Sequence, residues 1–115
     1  MSGAEHALRR ISAVRGVRGA MLVSAPDGLV VSESSMEDVD GRAIAALAAS
    51  LAGRLRRAAG GAGLGRPTVI QLRGETGTLL AVPAGEELLV VAVGDRETNL
   101  GLARLELLEA ARGIA

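Results

Sequence analysis

Leu88 to Val93 is a run of six residues that are all apolar. A strand with one face in water alternates apolar and polar residues, so a short run without alternation is typical of a strand covered on both faces. Turn-like residues precede this run, at Pro83-Ala84-Gly85-Glu86. The run therefore predicts a central strand in a sheet with a packed layer on each side.

Other apolar patterns supply these layers. Helical spacing of apolar residues predicts helices over 4–15, over 38–59 and from about 95–99 to 114. Short runs rich in β-branched residues predict strands over 17–24, 29–31, 68–73, 78–82 and 87–93. The order α-β-β-α-β-β-β-α predicts one α+β domain over 1–115, with a five-stranded antiparallel sheet and helices on both faces.

Two local signals refine this outline. Pro26, Asp27 and Gly28 form a strong turn signal between the first two strands, which predicts a β-hairpin with Gly28 at positive φ. Ser35-Met36-Glu37-Asp38 resembles a capping box, so we expect Ser35 to cap the middle helix. Its acidic residues are interpreted as helix capping rather than as a metal site.

The middle helix has two contrasting faces. Its larger apolar side chains form one stripe that is expected to pack on the sheet: Ile44, Leu47, Ala48, Leu51, Leu55 and Ala58. The opposite side, called the small-residue face here, consists of Arg42, Ala46, Ala49, Ser50, Gly53 and Arg57. Small residues let a second helix approach closely, and a mid-helix glycine costs roughly 1 kcal/mol relative to alanine. This face is therefore interpreted as a helix–helix interface, either with a second copy or with a different protein.

Composition excludes several classes of function. The chain has no Cys, Phe, Tyr, Trp or Lys, and a single His. Thiolate sites, aromatic stacking on bases and the phosphate-binding lysine of a P-loop are therefore absent. Thirteen arginines balance thirteen acidic residues, which argues against a nucleic-acid partner. No apolar run approaches the roughly 20 residues of a membrane span. We expect a soluble cytoplasmic protein without a cofactor, a small-molecule substrate or an active site.

Two further motifs have competing interpretations. The glycines at 61, 63 and 65 lie between a predicted helix and a predicted strand, the reverse of a dinucleotide-binding loop, and are interpreted as helix termination. Four arginines lie near that point: Arg54, Arg56, Arg57 and Arg66. Three interpretations of them remain open, namely contact with a phosphate, contact with an acidic partner, and contact with only the end of the helix.

The order of these elements resembles the roadblock/dynein-light-chain family, in particular its bacterial Mgl-type branch. The resemblance lies in residues 17–24, 26–31, 44–51, 88–93 and 99–104, and it covers nearly the whole chain. It implies a roadblock/longin-like fold and a homodimer, in which the middle helices pack together and the third strands pair into one continuous sheet.

In this sequence, the resemblance maps the interface onto the small-residue face with Arg56, and onto the third strand with Thr68, Ile70 and Leu72. It further implies a Ras-like small GTPase as partner, which the dimer regulates. Two other hypotheses remain: a structural adaptor, and a small-molecule sensor, which the lack of aromatic residues argues against.

Overall fold

The computed structural model describes residues 3–114. Met1, Ser2 and Ala115, which the single-domain prediction includes, lie outside the described residues. The helices are α1 (Gly3–Ser12), α2 (Gly41–Gly61) and α3 (Leu100–Ile114). The strands are β1 (Val17–Ser24), β2 (Val30–Ser34), β3 (Ile70–Arg73), β4 (Thr78–Ala84) and β5 (Leu88–Gly94).

The strands form one antiparallel sheet in the order β2-β1-β5-β4-β3. Helices α1 and α3 cover one face, and α2 covers the other. The predicted fold class is confirmed. Only element boundaries shift: β2 is longer than predicted, and β3 begins at Ile70, so Thr68 precedes the strand.

Strand β5 lies at the centre, as its apolar run predicts. Leu89 and Val91 belong to the core beneath α2, whereas Val90 and Ala92 belong to the core beneath α1 and α3. Because successive residues of a strand point to opposite faces, one apolar run contributes to both cores. The strand pairs with β1 on one side and with β4 on the other.

The predicted hairpin between β1 and β2 is confirmed. Gly28 has a φ of +72°, and its N–H donates to the Ser24 carbonyl at 2.8 Å. The Asp27 carboxylate accepts from the Leu29 N–H at 3.2 Å. Glycine adopts this left-handed backbone without steric cost, which explains the residue at the tip of the turn.

The predicted start of α2 was wrong. The N-cap is Asp40, whose side chain accepts from the Ala43 N–H at 3.1 Å. Ser35 and Asp38 instead lie in the preceding loop with φ values of +57° and +55°. Asp40 also satisfies the capping rule, and the helix begins where its carboxylate can reach a free N–H group.

The C-terminus of α2 ends in the glycine-rich segment, as expected. The Leu64 N–H donates to the Ala59 carbonyl at 2.8 Å, and the Gly63 N–H donates to the Gly60 carbonyl at 3.1 Å. Gly63 has a φ of +80°. This pair of bonds around a left-handed glycine is the Schellman motif, which closes a helix by satisfying its last carbonyls.

A compact junction joins the loop before β1 to the loop after β5. The Thr98 hydroxyl lies 3.1 Å from the Gly16 carbonyl and 2.7 Å from the Asp95 carbonyl. A Cβ at Gly94 would overlap the Thr98 hydroxyl and lie 2.7 Å from the Gly16 carbonyl oxygen. Glycine at position 94 is therefore required by a close approach of neighbouring atoms.

Candidate interaction surfaces

Helix α2 approaches the sheet through small residues. Ala45 and Ala48 are fully buried, and Ala52 is half-buried against the same core. Of the large apolar stripe predicted to pack on the sheet, Leu47 and Leu55 are instead 41% and 39% exposed, and Ala58 is also exposed. That prediction was wrong in part, because alanines let the helix lie close to the sheet and displace the leucines sideways.

The small-residue face is turned partly towards the chain's own hairpin. A Cβ at Gly28 would lie 3.4 Å from both the Ala46 Cα and the Ala49 Cβ. Ala49 is half-buried there, whereas Arg42, Ala46, Ser50 and Arg57 are exposed. Close packing of α2 on the β1–β2 turn is thus one physical reason for the alanines on this face.

On the other side of α2, leucines lie on successive turns, of which Leu47 and Leu55 are exposed and Leu51 is half-buried. We call Leu47, Leu51 and Leu55 the leucine flank. Residues four apart lie on one side of a helix, and this side is opposite the one that contacts the β1–β2 turn. Because β2 is at one edge of the sheet and β3 is at the other, the leucine flank faces the β3 side.

Strand β3 is a regular, open edge beside this flank. It pairs with β4 in unbroken register from Ile70 to Arg73. Ile70 is buried in the core beneath α2, and Leu72, two residues on and on the same face, is 41% exposed. The Gly74 N–H donates to the Gly77 carbonyl. In an antiparallel pair, residues that are hydrogen-bonded to the neighbouring strand alternate with residues that are not. Because Gly74 is hydrogen-bonded, the backbone N–H groups of Gln71 and Arg73 point away from β4.

The opposite edge of the sheet is irregular. The register between β1 and β2 shifts between Leu22 and Val23, so Val30 pairs with Val23 and Val31 is left over. A bulge of this kind twists an edge strand and hinders pairing with another chain. The two edges therefore differ, and β3 is the better template for strand addition.

At the end of the sheet where β4 turns into β5, a carboxylate bridges two arginines. Glu86 contacts the Arg56 guanidinium at 3.5 Å and forms a hydrogen-bonded ion pair with Arg66. The hydrogen bond and the charge of Arg66 lower the pKa of the Glu86 carboxyl, and Arg56 contributes further. Glu86 thus ties α2 to the loop before β3, a role that its turn-like sequence context did not indicate.

A cleft of about 1120 Å³ extends around this end of the sheet, from α2 to the last turns of α3. Four of the arginines singled out in the sequence line it: Arg54, Arg56, Arg57 and Arg66. We call it the basic cleft. The last turn of α2 contains no basic residue, so compensation of the helix dipole, which is confined to that turn, does not account for these arginines.

Residues 3–114 show neither a metal centre nor a membrane span. No cluster of three or more His, Asp or Glu side chains in this range is arranged to hold a metal ion. None of the helices in the same range is long and apolar enough to cross a bilayer.

The surfaces and the fold can be compared with known proteins. Residues 3–93 match the family model of the Roadblock/LC7 domain. The chain belongs to the Roadblock/LC7 family. This roadblock chain is 34% identical over 110 residues to the uncharacterized protein MJ1340 of Methanocaldococcus jannaschii, a match that covers 96% of this chain and 95% of that protein.

Solved roadblock structures have the same fold. An MglB with a tetrameric arrangement is 28% identical with a TM-score of 0.87, and the match covers 97% of this roadblock chain and 85% of MglB. The gliding protein MglB of Thermus thermophilus is 26% identical with a TM-score of 0.85 and the same two coverages. A Roadblock/LC7 domain from Streptomyces avermitilis is 21% identical with a TM-score of 0.84, and the match covers 95% of this chain and 92% of that domain.

Proposed function

We propose that this protein is a homodimeric regulator of a Ras-like small GTPase. The observation that carries the proposal is the leucine flank of α2 beside the open edge of β3. At the family level, the likeness to MglB supports a regulator of a small GTPase rather than an enzyme.

The geometry of that edge supports the dimer. Two β3 strands that pair antiparallel are related by a two-fold axis perpendicular to the sheet. The same axis places the two α2 helices side by side and antiparallel on one face. Leu47 and Leu55 of each copy would then be removed from water, together with Leu72. This arrangement keeps Ile70 and Leu72 of the predicted interface, but it places the leucine flank, rather than the small-residue face, between the two α2 helices.

Two substitutions test the dimer from independent directions. Leu47→Glu places a charge in a desolvated contact, which costs about 3 kcal/mol or more when the charge is unpaired. Gln71→Pro removes an N–H group that points away from β4, so the monomer keeps its own hydrogen bonds while strand addition is blocked. Sedimentation of both variants should give monomers at concentrations where the wild type is a dimer.

Leu105→Glu is the matched control for the dimer experiment. Leu105 lies on α3, on the opposite face of the sheet, and is 61% exposed. This variant should remain dimeric. A wild-type monomer at tens of micromolar, or a dimer that survives both Leu47→Glu and Gln71→Pro, would overturn the proposed interface.

The GTPase is tested by single-turnover hydrolysis with a Ras-like small GTPase from the same organism, with this protein in excess. We expect binding and a changed hydrolysis rate. Binding without any change in rate would instead favour an adaptor, which holds other proteins together without affecting hydrolysis. Absence of binding to every such GTPase would contradict the proposal.

The mechanism proposed for such a regulator does not use an arginine finger. A finger supplied by a partner contributes about 10³–10⁵ in rate. Arg42, Arg54, Arg56 and Arg57 all lie on the ordered helix α2 rather than on a projecting loop. Each Arg→Ala change should weaken binding about tenfold, or roughly 1.4 kcal/mol, with little change in the saturated rate. A thousandfold loss of that rate with intact binding would identify a finger.

A further inference from the structure

The basic cleft has a net positive rim. Five arginines and two glutamates, Glu86 and Glu87, line it. Of the arginines, Arg56 and Arg66 share the Glu86 carboxylate, and Arg112 pairs with Glu109. Arg54 and Arg57 are exposed, and no carboxylate of residues 3–114 lies within ion-pair distance of either. Guanidinium groups bind carboxylates in a planar, two-pronged geometry. The rim therefore has unused capacity for acidic groups.

Beneath this rim, the wall of the cleft is apolar. Its half-buried parts include Ala25, Ala52 and Pro67. A site for a simple inorganic anion would be polar throughout. An apolar wall below a cationic rim instead suits a ligand that has an apolar side chain next to carboxylates.

Gly53 provides an independent observation on the same wall. A Cβ at this position would meet only a terminal nitrogen of Arg57, at 3.6 Å. The chain's own packing therefore does not require glycine, although glycine in a helix interior is destabilising relative to alanine. Because Gly53 lines the cleft, its missing side chain keeps the cleft open.

We propose that the basic cleft binds an acidic segment of a partner protein, in which an apolar side chain is flanked by carboxylates. The apolar side chain packs on the wall beside Gly53, and the carboxylates pair with Arg54 and Arg57. This inference goes beyond the proposed function, since it requires neither GTP hydrolysis nor a second copy of the chain.

The test uses fluorescence anisotropy with an end-blocked, labelled peptide Glu-Asp-Leu-Asp-Glu and the full-length protein. Two comparison peptides separate the contributions: Gln-Asn-Leu-Asn-Gln removes the charge, and Glu-Asp-Gly-Asp-Glu removes the apolar side chain. Each should bind at least about tenfold more weakly. Equal binding of the glycine peptide would overturn the proposal by showing charge attraction alone.

Variants locate the site. Gly53→Leu, which fills the cleft, and the double change Arg54→Gln with Arg57→Gln should each weaken binding of the leucine peptide at least tenfold. Gly60→Leu is the control on the same helix, because a Cβ there meets no atom within 4 Å, and Arg104→Gln is the control for an exposed arginine of α3. Both controls should bind like the wild type, and urea unfolding should show that all variants are folded.

Three further results would overturn the proposal. The first is no binding of the leucine peptide at millimolar concentration, and the second is unchanged binding by Gly53→Leu. The third is complete competition by inorganic phosphate at concentrations matching the peptide, which would indicate a simple anion site. The dimer variant Leu47→Glu should retain peptide binding. Failure of the dimer and failure of the cleft are therefore observed separately.

Discussion

Gly28 combines two constraints in one residue. Its φ of +72° is strained for any residue with a Cβ, and its Cα hydrogen points at α2, where a Cβ would touch Ala46 and Ala49. Gly28→Val should therefore lower the free energy of unfolding by about 2 kcal/mol, measured by urea denaturation.

Gly63→Val separates the two contributions. Gly63 has a similar φ of +80°, but a Cβ there meets no atom within 4 Å. This control should show only the cost of the backbone conformation, roughly 1 kcal/mol. Equal losses for the two variants would mean that α2 does not press on the turn.

Glu86 should titrate at an unusually acidic pH. The carboxyl has a lowered pKa because it accepts a hydrogen bond from Arg66 and lies near two positive charges. A carboxyl with a lowered pKa stabilises the fold above its unfolded pKa of about 4.3, and this stabilisation is lost as the pH falls through the folded pKa. NMR titration should place the Glu86 midpoint below about 4.3.

Arg66→Gln should move the Glu86 midpoint upward, while Arg104→Gln should leave it in place. A wild-type midpoint at the ordinary glutamate value would show that the ion pair does not persist in solution.

At the scale of the element, the sequence predicted which segments are helices and strands, but only part of the side of α2 that faces inward: Ala48 and Ile44 pack on the core as expected, whereas Leu47 and Leu55 do not. Periodicity assigns the largest apolar side chains to the core. In α2, however, the distance to the sheet is set by Ala45, Ala48 and Ala52, so the leucines lie at the side. The distance between α2 and the sheet is not predictable from sequence periodicity, because it depends on how the β1–β2 turn and the sheet pack against the helix.

The start of α2 illustrates a second limit. Both Ser35 and Asp40 are residues that cap helices well, and a local rule does not choose between them. The loop is held by tertiary contacts, since Met36 lies over the backbone of Gly19 on β1. The hairpin, in contrast, was predictable because Pro26, Asp27 and Gly28 determine the turn locally.

The junction at Gly94 allows a prediction for an element boundary. Gly94→Ala should lower the free energy of unfolding by about 2–3 kcal/mol, because its Cβ would displace Thr98 and press on the Gly16 carbonyl. Gly101→Ala is the matched control, as a Cβ there meets nothing closer than 3.9 Å. Thermal unfolding of both variants is the measurement, and an unchanged midpoint for Gly94→Ala would show that the loops separate easily.

For the whole molecule, the element order was sufficient to predict the layers and the antiparallel sheet. The difference between the two sheet edges was not predictable, because the register shift that pairs Val30 with Val23 and leaves Val31 without a partner is visible only in the folded sheet. The basic cleft was only partly predictable. The sequence marked its arginines, but only the fold brings Glu86 and Gly53, which are distant in sequence, to the same cleft at one end of the sheet.

The central position of β5 has a consequence for amide hydrogen exchange. Its N–H groups are bonded to β1 or β4 and are covered on both faces, so their hydrogens exchange with solvent only when the molecule opens as a whole. We expect the amides of Val90 and Val91 to be among the slowest and to report the free energy of global unfolding without denaturant; rapid exchange there would contradict this. The amides of Gln71 and Arg73, which point away from β4, should exchange quickly in a monomer. One deuterium-exchange experiment therefore measures both the global stability of the fold and whether another strand pairs with β3.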